Sequence, residues 1–234
     1  MKYKAVFFDL DGTLLPMDQE EFVQAYFGLL SKRMAQFGYD PKTLVATIWG
    51  GTKAMMKNDG GRNNDEVFWE KFLETYGEEF NKDRDNLDAY YNEEFLKVQG
   101  VCGFNPLSKE VVERIKKAGM RVALATQPIF PEIATIHRTR WAGLDVSDFD
   151  VVTTFENIGY CKPSKEYYLE VCRRMNLSSE DCLMVGNDTD DDMPAKDAGL
   201  DVFLLTDCLI NHSGKDINDY PHGDFSALLK YLEV

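Results

Sequence analysis

Residues 5–13 read AVFFDLDGT, an apolar run that gives way to two aspartates, a glycine and a threonine. The apolar part is short and rich in residues that favour strands, which predicts a buried β-strand running into a turn. Asp9 and Asp11 stand two residues apart on that turn. Two carboxylates so close repel each other unless a cation lies between them. Mg²⁺ fits best, because it prefers oxygen ligands and retains several waters.

The rest of the chain divides into two parts with different patterns. From 17 to 98 apolar residues recur at helical spacing between glycines, which predicts about four helices and no strand. Beyond Gly103, short strands alternate with helices; the strands are predicted at 121–125, 151–154, 182–185 and 202–205. This alternation is typical of right-handed βαβ units and a parallel sheet.

Polar side chains follow four of the predicted strands. They are Asp9 with Asp11, Thr126 with Gln127, Lys162, and the acidic stretch from Gly186 to Asp192. Ligands of open parallel sheets bind beyond the carboxyl ends of the strands, so we expect these groups to meet in one crevice. Carboxylates, a metal ion, a lysine and a hydroxyl suit phosphoryl transfer, which depends on positioning and charge neutralisation. A carboxylate can itself be the nucleophile.

These motifs carry a family resemblance. Phe8–Leu14 resembles the first motif, DxDGT, of the haloacid dehalogenase-like (HAD) hydrolases. Thr126, Lys162-Pro163 and Gly186–Asp192 resemble the second, third and fourth motifs, and all four occur in the family's order. The resemblance places the family's α-helical cap in the segment between the first and second motifs.

We therefore expect an α/β fold with two parts. Residues 1–16 and 100–234 form a doubly wound, Rossmann-like catalytic core with a parallel sheet. Residues 17–99 form an inserted all-α cap that closes over the site.

The resemblance also implies roles for individual residues. Asp9 is similar to the nucleophile that attacks phosphorus, and Asp11 to the general acid that protonates the leaving oxygen and then acts as general base. In the family the first aspartate gives a side-chain oxygen to Mg²⁺ and the second gives its backbone carbonyl. Thr126, Gln127 and Lys162 are expected to bind the phosphate.

The fourth motif departs from the family's commonest form, because Asn187 stands where aspartate is usual. We expect Asp188 to be a direct metal ligand and Asp192 to support it, with Asn187 as a further candidate. Asp190 and Asp191 are expected at the surface, since acidic residues are also favoured at helix N-termini.

The predicted function is that of a Mg²⁺-dependent phosphatase, which hydrolyses a small phosphorylated metabolite through an aspartyl-phosphate intermediate. Asp11 favours phosphate chemistry, because the family's dehalogenases lack this second acid and use no metal. One alternative is a phosphosugar mutase similar to β-phosphoglucomutase, which the motifs do not distinguish from a phosphatase. Another is a binding or regulatory protein on the same fold, which the departure at Asn187 mildly favours.

Composition narrows the class of partner. The 234 residues are 44% hydrophobic and 28% charged, with a formal net charge of −14, which is typical of a globular protein and disfavours nucleic acid and membrane as partners. No apolar run approaches the ~18 residues of a membrane helix.

The five cysteines show no CxxC spacing and no signal peptide is evident, so we expect reduced thiols in a cytoplasmic protein. The three scattered histidines argue against zinc.

The sequence also predicts the surroundings of several other residues. Four aromatic residues of the helical segment are predicted to pack in its core: Trp49, Trp69, Tyr90 and Tyr91. Lys53 and Arg62 follow paired glycines and are expected in solvated turns, with substrate contact as the alternative. Arg138 is expected on the charged face of a helix.

Overall fold

A six-stranded parallel sheet runs through the centre of the protein, of which the computed structural model describes residues 2–234. Its strands are β1 Ala5–Phe8, β2 Arg121–Leu124, β3 Val151–Val152, β4 Cys182–Gly186, β5 Asp201–Leu205 and β6 His222–Gly223. They lie in the order β3-β2-β1-β4-β5-β6, and each neighbouring pair is parallel. The predicted doubly wound core is confirmed, and β6 is an addition that the sequence pattern did not indicate.

Helices account for most of the remaining chain. The eight α-helices within residues 2–234 are α1 Gln19–Ala35, α2 Pro41–Met55, α3 Asn64–Tyr76, α4 Arg84–Asn92, α5 Leu107–Lys117, α6 Glu132–Trp141, α7 Lys165–Met175 and α8 Phe225–Leu232. Short 3₁₀ helices lie at Glu78–Asp83, Glu94–Val101, Val146–Asp148, Ser179–Asp181, Met193–Ala198 and Ile217–Asp219. We call the segment from α1 to Val101 the helical insert. It lies between β1 and α5, the helix that precedes β2, and contains no strand, as expected.

The sheet is covered on both faces. Val6 and Phe8 of β1 belong to one hydrophobic cluster, whereas Ala5 and Phe7 belong to the other. Successive side chains of a strand point to opposite faces, so all four are buried only because both faces are packed. The helical insert, α5 and α8 contribute to the first cluster, and α7 to the second. Within residues 2–234, none of the helices combines the length and hydropathy of a bilayer crossing.

Acidic caps fix where the helices of the insert begin. Asp18 accepts a hydrogen bond from the backbone N–H of Glu21 at 3.0 Å, and Asp40 accepts one from Thr43 at 2.8 Å. Each cap satisfies a backbone donor that has no partner inside the helix. Asn63 forms a capping box at the start of α3.

The aromatic residues of the insert divide into two groups. Tyr90 and Tyr91 are buried and Trp69 is partly buried beneath Arg84, as the helical spacing predicts. The prediction was wrong for Trp49, whose residue is 42% exposed. Its ring contacts Phe27, with centroids 5.6 Å apart, at the edge of the insert.

Gly50 and Gly51, which were expected in a turn, lie inside α2 instead. A Cβ on Gly51 would come within 2.5 Å of the Phe68 ring, so the missing side chain lets α2 and α3 approach closely. Gly50 has open space around it. Lys53 therefore projects from a helix into solvent, while Arg62 lies in the following loop and pairs with Glu70, as expected of a solvated segment.

We predict that Gly51→Ala destabilises the protein by about 1–3 kcal/mol, because the added methyl group collides with the buried Phe68 ring. Gly50→Ala is the matched control and should stabilise it by roughly 0.5–1 kcal/mol, through helix propensity alone. Urea unfolding of both variants measures the difference. Equal stabilisation by the two substitutions would contradict the close packing of α2 on α3.

Candidate active site

The site lies where the strand order of the sheet reverses, between β1 and β4. The backbone N–H of Asp9 donates to the carbonyl of Val185 at 3.0 Å, which joins the end of β1 to the end of β4. On the other side, Ala125 N–H donates to the Phe8 carbonyl at 2.7 Å. Such a reversal leaves a crevice beyond the carboxyl ends of the strands, where ligands of doubly wound folds bind.

A tight turn follows β1 and is joined to the loop after β4. Gly12 has a φ of +82°, and a Cβ there would come within 2.3 Å of the Asn187 amide. Asn187 accepts a hydrogen bond from the Thr13 hydroxyl at 2.8 Å and donates one to the Cys208 carbonyl at 2.7 Å. Both ends of this amide are thus engaged by protein groups. Asn187 joins the two loops, and its predicted contact with a metal stays a prediction.

Lys162 joins the nucleophile candidate to the fourth motif. Its ammonium donates to Asp9 Oδ1 at 2.8 Å and to Asp192 Oδ1 at 2.7 Å, and all three residues are buried. Burial would lower the pKa of Lys162, but the carboxylates of Asp192 and Asp9 raise it well above its usual value. Lys162 is therefore a permanent positive charge inside the site.

The surroundings of Asp9 disfavour the ionised form of its carboxyl group. Burial raises the pKa of Asp9 to about 7; Asp192 and Asp11 add to the rise, and the charge of Lys162 opposes it. A divalent cation beside Asp9 would favour the ionised form further.

The aspartates of the acidic loop after β4 differ in their contacts and burial. Asp192 Oδ2 accepts the backbone N–H of Asp188 at 3.0 Å, while Asp188 Oδ1 accepts those of Asp190 and Asp191 at 2.7 and 3.1 Å. Asp190 pairs with Lys215 at the surface, as expected. The expectation for Asp191 was wrong, because it lines the cavity described below. Burial, aided by the charge of Asp188, raises the pKa of Asp191 to about 6.

The second motif contributes a hydroxyl and an amide. Thr126 is buried, and its hydroxyl has no hydrogen-bond partner within residues 2–234. An unpaired buried hydroxyl is costly, which indicates a ligand here. The Gln127 side chain accepts the Lys162 N–H at 3.0 Å and donates to the Lys162 carbonyl and to Asp191 at 3.1 and 3.2 Å. Gln127 thus holds the loop that carries Lys162.

Arg138 contacts the candidate site, and the sequence pattern missed this contact. It was expected on an exposed helix face, but it is fully buried on α6 and donates to Asp11 Oδ2. Its guanidinium also lies 4.4 Å from the Phe130 ring centroid and 3.3 Å from the Thr135 hydroxyl. The other oxygen of Asp11, Oδ1, makes no hydrogen bond within the described chain. Arg138 therefore fixes one oxygen of the Asp11 carboxylate, while the other is buried without a hydrogen-bond partner.

One cavity of about 340 Å³ collects these groups. Its floor is formed by residues at the strand ends, which include Asp9, Asp11, Thr126, Gln127, Lys162, Asn187, Asp188, Asp191 and Asp192. Its roof is formed by the helical insert. The predicted site residues therefore meet in one place, although they come from four separate parts of the chain.

The donor set of the floor fits Mg²⁺. Within residues 2–234, no three His, Cys, Asp or Glu side chains are placed so that together they could bind a metal ion. Mg²⁺ does not require three such side chains, since it usually takes one or two carboxylates and completes its shell with water and substrate phosphate. Lys162 engages only Oδ1 of Asp9, and Asp188 uses Oδ1 for backbone donors, so one oxygen of each carboxylate stays available.

Comparison with known proteins identifies relatives of this fold and site. The family model for haloacid dehalogenase-like hydrolases matches residues 3–199. A ribulose-1,5-bisphosphate 5-phosphatase from Halopiger xanaduensis is 26% identical over 209 residues, which cover 86% of this chain and 84% of the relative. A phosphoglycolate phosphatase from Nitrosospira multiformis is 24% identical over 208 residues, which cover 86% and 82%.

A solved structure supports the fold. The HAD hydrolase YfnB from Bacillus subtilis, solved bound to magnesium, aligns over the full length of both chains with a TM-score of 0.58. Its sequence identity is 19%, so this likeness concerns the fold alone.

We predict that Arg138→Met lowers the free energy of unfolding by about 3 kcal/mol, because it removes the partner of Asp11 together with several buried contacts. Arg140→Met is the control from the same helix, where the ion pair with Asp145 is exposed, and should cost about 0.5 kcal/mol or less. Urea unfolding compares the two. A similar loss in both variants would show that the Arg138–Asp11 pair is not a structural constraint.

Proposed function

Because this chain belongs to the haloacid dehalogenase-like hydrolases, we propose that it is a Mg²⁺-dependent phosphatase that hydrolyses a small phosphate monoester. The observation that carries the proposal is the contact between Asp9 and Lys162, 2.8 Å apart on the floor of a cavity that Asp11 and Thr126 also line. The names of the two phosphatase relatives support the class of reaction.

In the first step, Asp9 attacks the phosphorus of the ester. A bond forms between its carboxylate oxygen and phosphorus, and the bond from phosphorus to the leaving oxygen breaks. Asp11 donates a proton to that oxygen, so the product leaves as a neutral alcohol. Lys162 and the unpaired hydroxyl of Thr126 supply a positive charge and a donor to the phosphoryl oxygens.

In the second step, water attacks the phosphorus of the aspartyl-phosphate. Asp11 takes a proton from the water, and the bond from phosphorus to Asp9 breaks, which restores the carboxylate and releases inorganic phosphate. Arg138 positions Asp11 for both steps, since it holds Oδ2 and leaves Oδ1 free to exchange the proton.

Asp9, the backbone carbonyl of Asp11 and Asp188 would hold the Mg²⁺ ion. When bound, Mg²⁺ neutralises negative charge on the phosphoryl oxygens. Asp192 supports this arrangement through its contacts with the Asp188 N–H and the Lys162 ammonium. The helical insert acts as the cap, which covers the site and limits the access of water during the first transfer.

We expect Asp9→Asn to lower phosphate release from a generic aryl phosphate with Mg²⁺ by about 10³-fold or more, because the amide cannot act as the nucleophile. Asp190→Asn is the matched control, since this aspartate lies in the same acidic region but pairs with Lys215 at the surface. Its activity should stay within about twofold of the parent. Circular dichroism confirms that both variants fold. Full activity in Asp9→Asn would eliminate the nucleophile assignment.

We expect EDTA to abolish activity and added Mg²⁺ to restore it. Asp188→Asn should raise the Mg²⁺ concentration for half-maximal activity by about tenfold or more, because it removes a carboxylate ligand. The asparagine oxygen can still accept the backbone N–H groups of Asp190 and Asp191, so the loop is retained. A Mg²⁺ titration of this variant beside Asp190→Asn measures the effect, and identical titrations would remove Asp188 from the ligand set.

A further inference from the structure

The roof of the cavity is apolar. The helical insert lines it with aromatic and aliphatic side chains, among them Phe22, Phe27, Trp49 and Met56. Phe130, from the loop before α6, continues this surface towards the floor, with its ring 6.1 Å from that of Phe22. The apolar surface is therefore continuous with the phosphate-binding floor.

The hydroxyl groups of the roof are already engaged within the protein. The hydroxyl of Thr52 donates to the Ile48 carbonyl at 3.0 Å, inside α2. The hydroxyl of Tyr26 shares a hydrogen bond with Tyr91 at 2.9 Å. Gln19, at the exposed start of α1, is the remaining polar side chain that the insert gives to the cavity lining within residues 2–234. A sugar would find few hydrogen-bond partners here.

The roof also lacks a positive charge. Of the described residues that line the cavity, only Lys162 is cationic, and it is committed to Asp9 and Asp192. Lys53 and Arg62, which the sequence raised as substrate contacts, do not belong to the lining. A second phosphate or a carboxylate on the substrate would therefore have no partner, and burying it would be costly.

The mouth of the cavity exposes large apolar side chains. Trp49 is 42% exposed and Met56 is 49% exposed, and both line the cavity that contains Asp9. Apolar surface exposed to water raises the free energy of the system, and a ligand that covers this surface lowers it. Ligand pockets combine an apolar wall with a few polar groups that fix orientation, which is the division seen here between roof and floor.

We infer that the substrate is a monophosphate ester of an apolar alcohol, with no second anionic group. This inference rests on the proposed phosphatase activity and adds the class of leaving group. It differs from the bisphosphate and the phosphoglycolate named for the two relatives.

The test compares kcat/KM for benzyl phosphate and glycerol 3-phosphate, with ribulose 1,5-bisphosphate and phosphoglycolate as further anionic substrates. Benzyl phosphate and glycerol 3-phosphate are both esters of primary alcohols, so the comparison isolates the apolar body. We expect benzyl phosphate to be preferred by about tenfold or more. Equal values, or preference for any of the other three substrates, would overturn the inference.

Substitutions in the roof locate the effect. Phe27→Ala and Trp49→Ala should each lower kcat/KM for benzyl phosphate by about tenfold and leave glycerol 3-phosphate within about twofold. Phe37→Ala is the matched control, because Phe37 is an exposed aromatic residue of the same insert outside the cavity lining. Equal losses on both substrates, or a changed oligomeric state with unchanged selectivity, would show that these rings serve the fold or an interface instead.

A binding measurement separates this inference from the proposed activity. Benzylphosphonate cannot be hydrolysed as an ester, and calorimetry with Mg²⁺ measures its affinity directly. If no ester releases phosphate but benzylphosphonate binds, and binds about tenfold more weakly to Phe27→Ala, the phosphatase proposal fails and the apolar specificity stands. If esters are hydrolysed without preference and benzylphosphonate binds no better than phosphonoacetate, the apolar specificity fails and the phosphatase proposal stands.

Discussion

The buried ammonium of Lys162 is the charge on which the arrangement of the site depends. Asp9 and Asp192 lie beyond the ends of β1 and β4, and without a cation between them their carboxylates would repel each other in a medium that screens poorly. Burying three charged groups is itself expensive, so packing alone does not account for them. The proposed chemistry accounts for the cluster better, because it holds the proposed nucleophile, Asp9, next to a fixed positive charge and leaves one oxygen of Asp9 available.

The floor and the roof of the cavity obey different constraints. The floor comes from the ends of parallel strands, where geometry forces the polar groups of distant segments to meet. The roof comes mainly from one continuous insertion, whose aromatic residues belong to the same hydrophobic cluster as one face of the sheet. Under our proposals, the floor determines the type of reaction and the roof determines the selectivity for the substrate.

Much of the fold and most of the floor could be predicted from local patterns. The alternation after Gly103 indicated the strands, and a polar residue at each strand end indicated the site. Arg138 and Trp49 could not be found this way. Arg138 is buried because Asp11, 127 residues away, supplies a partner, and no local pattern contains that information. Trp49 has the spacing of a core residue, yet its neighbours leave its ring at the cavity mouth. Spacing indicates which residues share a helix face, and only the packed neighbours determine whether that face is covered.

The position of β1 at the middle of the sheet also affects how the chain is assembled. β1 leaves the ribosome first, but its neighbours in the sheet follow much later, since Phe8 pairs with Leu124 on one side and Val185 on the other. Such long-range parallel pairings form slowly, because a large loop must close before they can be made. The contacts of the helical insert span shorter separations: α2 packs on the next helix, α3, and Tyr26 of α1 bonds to Tyr91 of α4, 65 residues away. During biosynthesis the first strand, with Asp9 at its end, therefore has no partner in the sheet until β2 has been made, and its second edge stays unpaired until β4 follows.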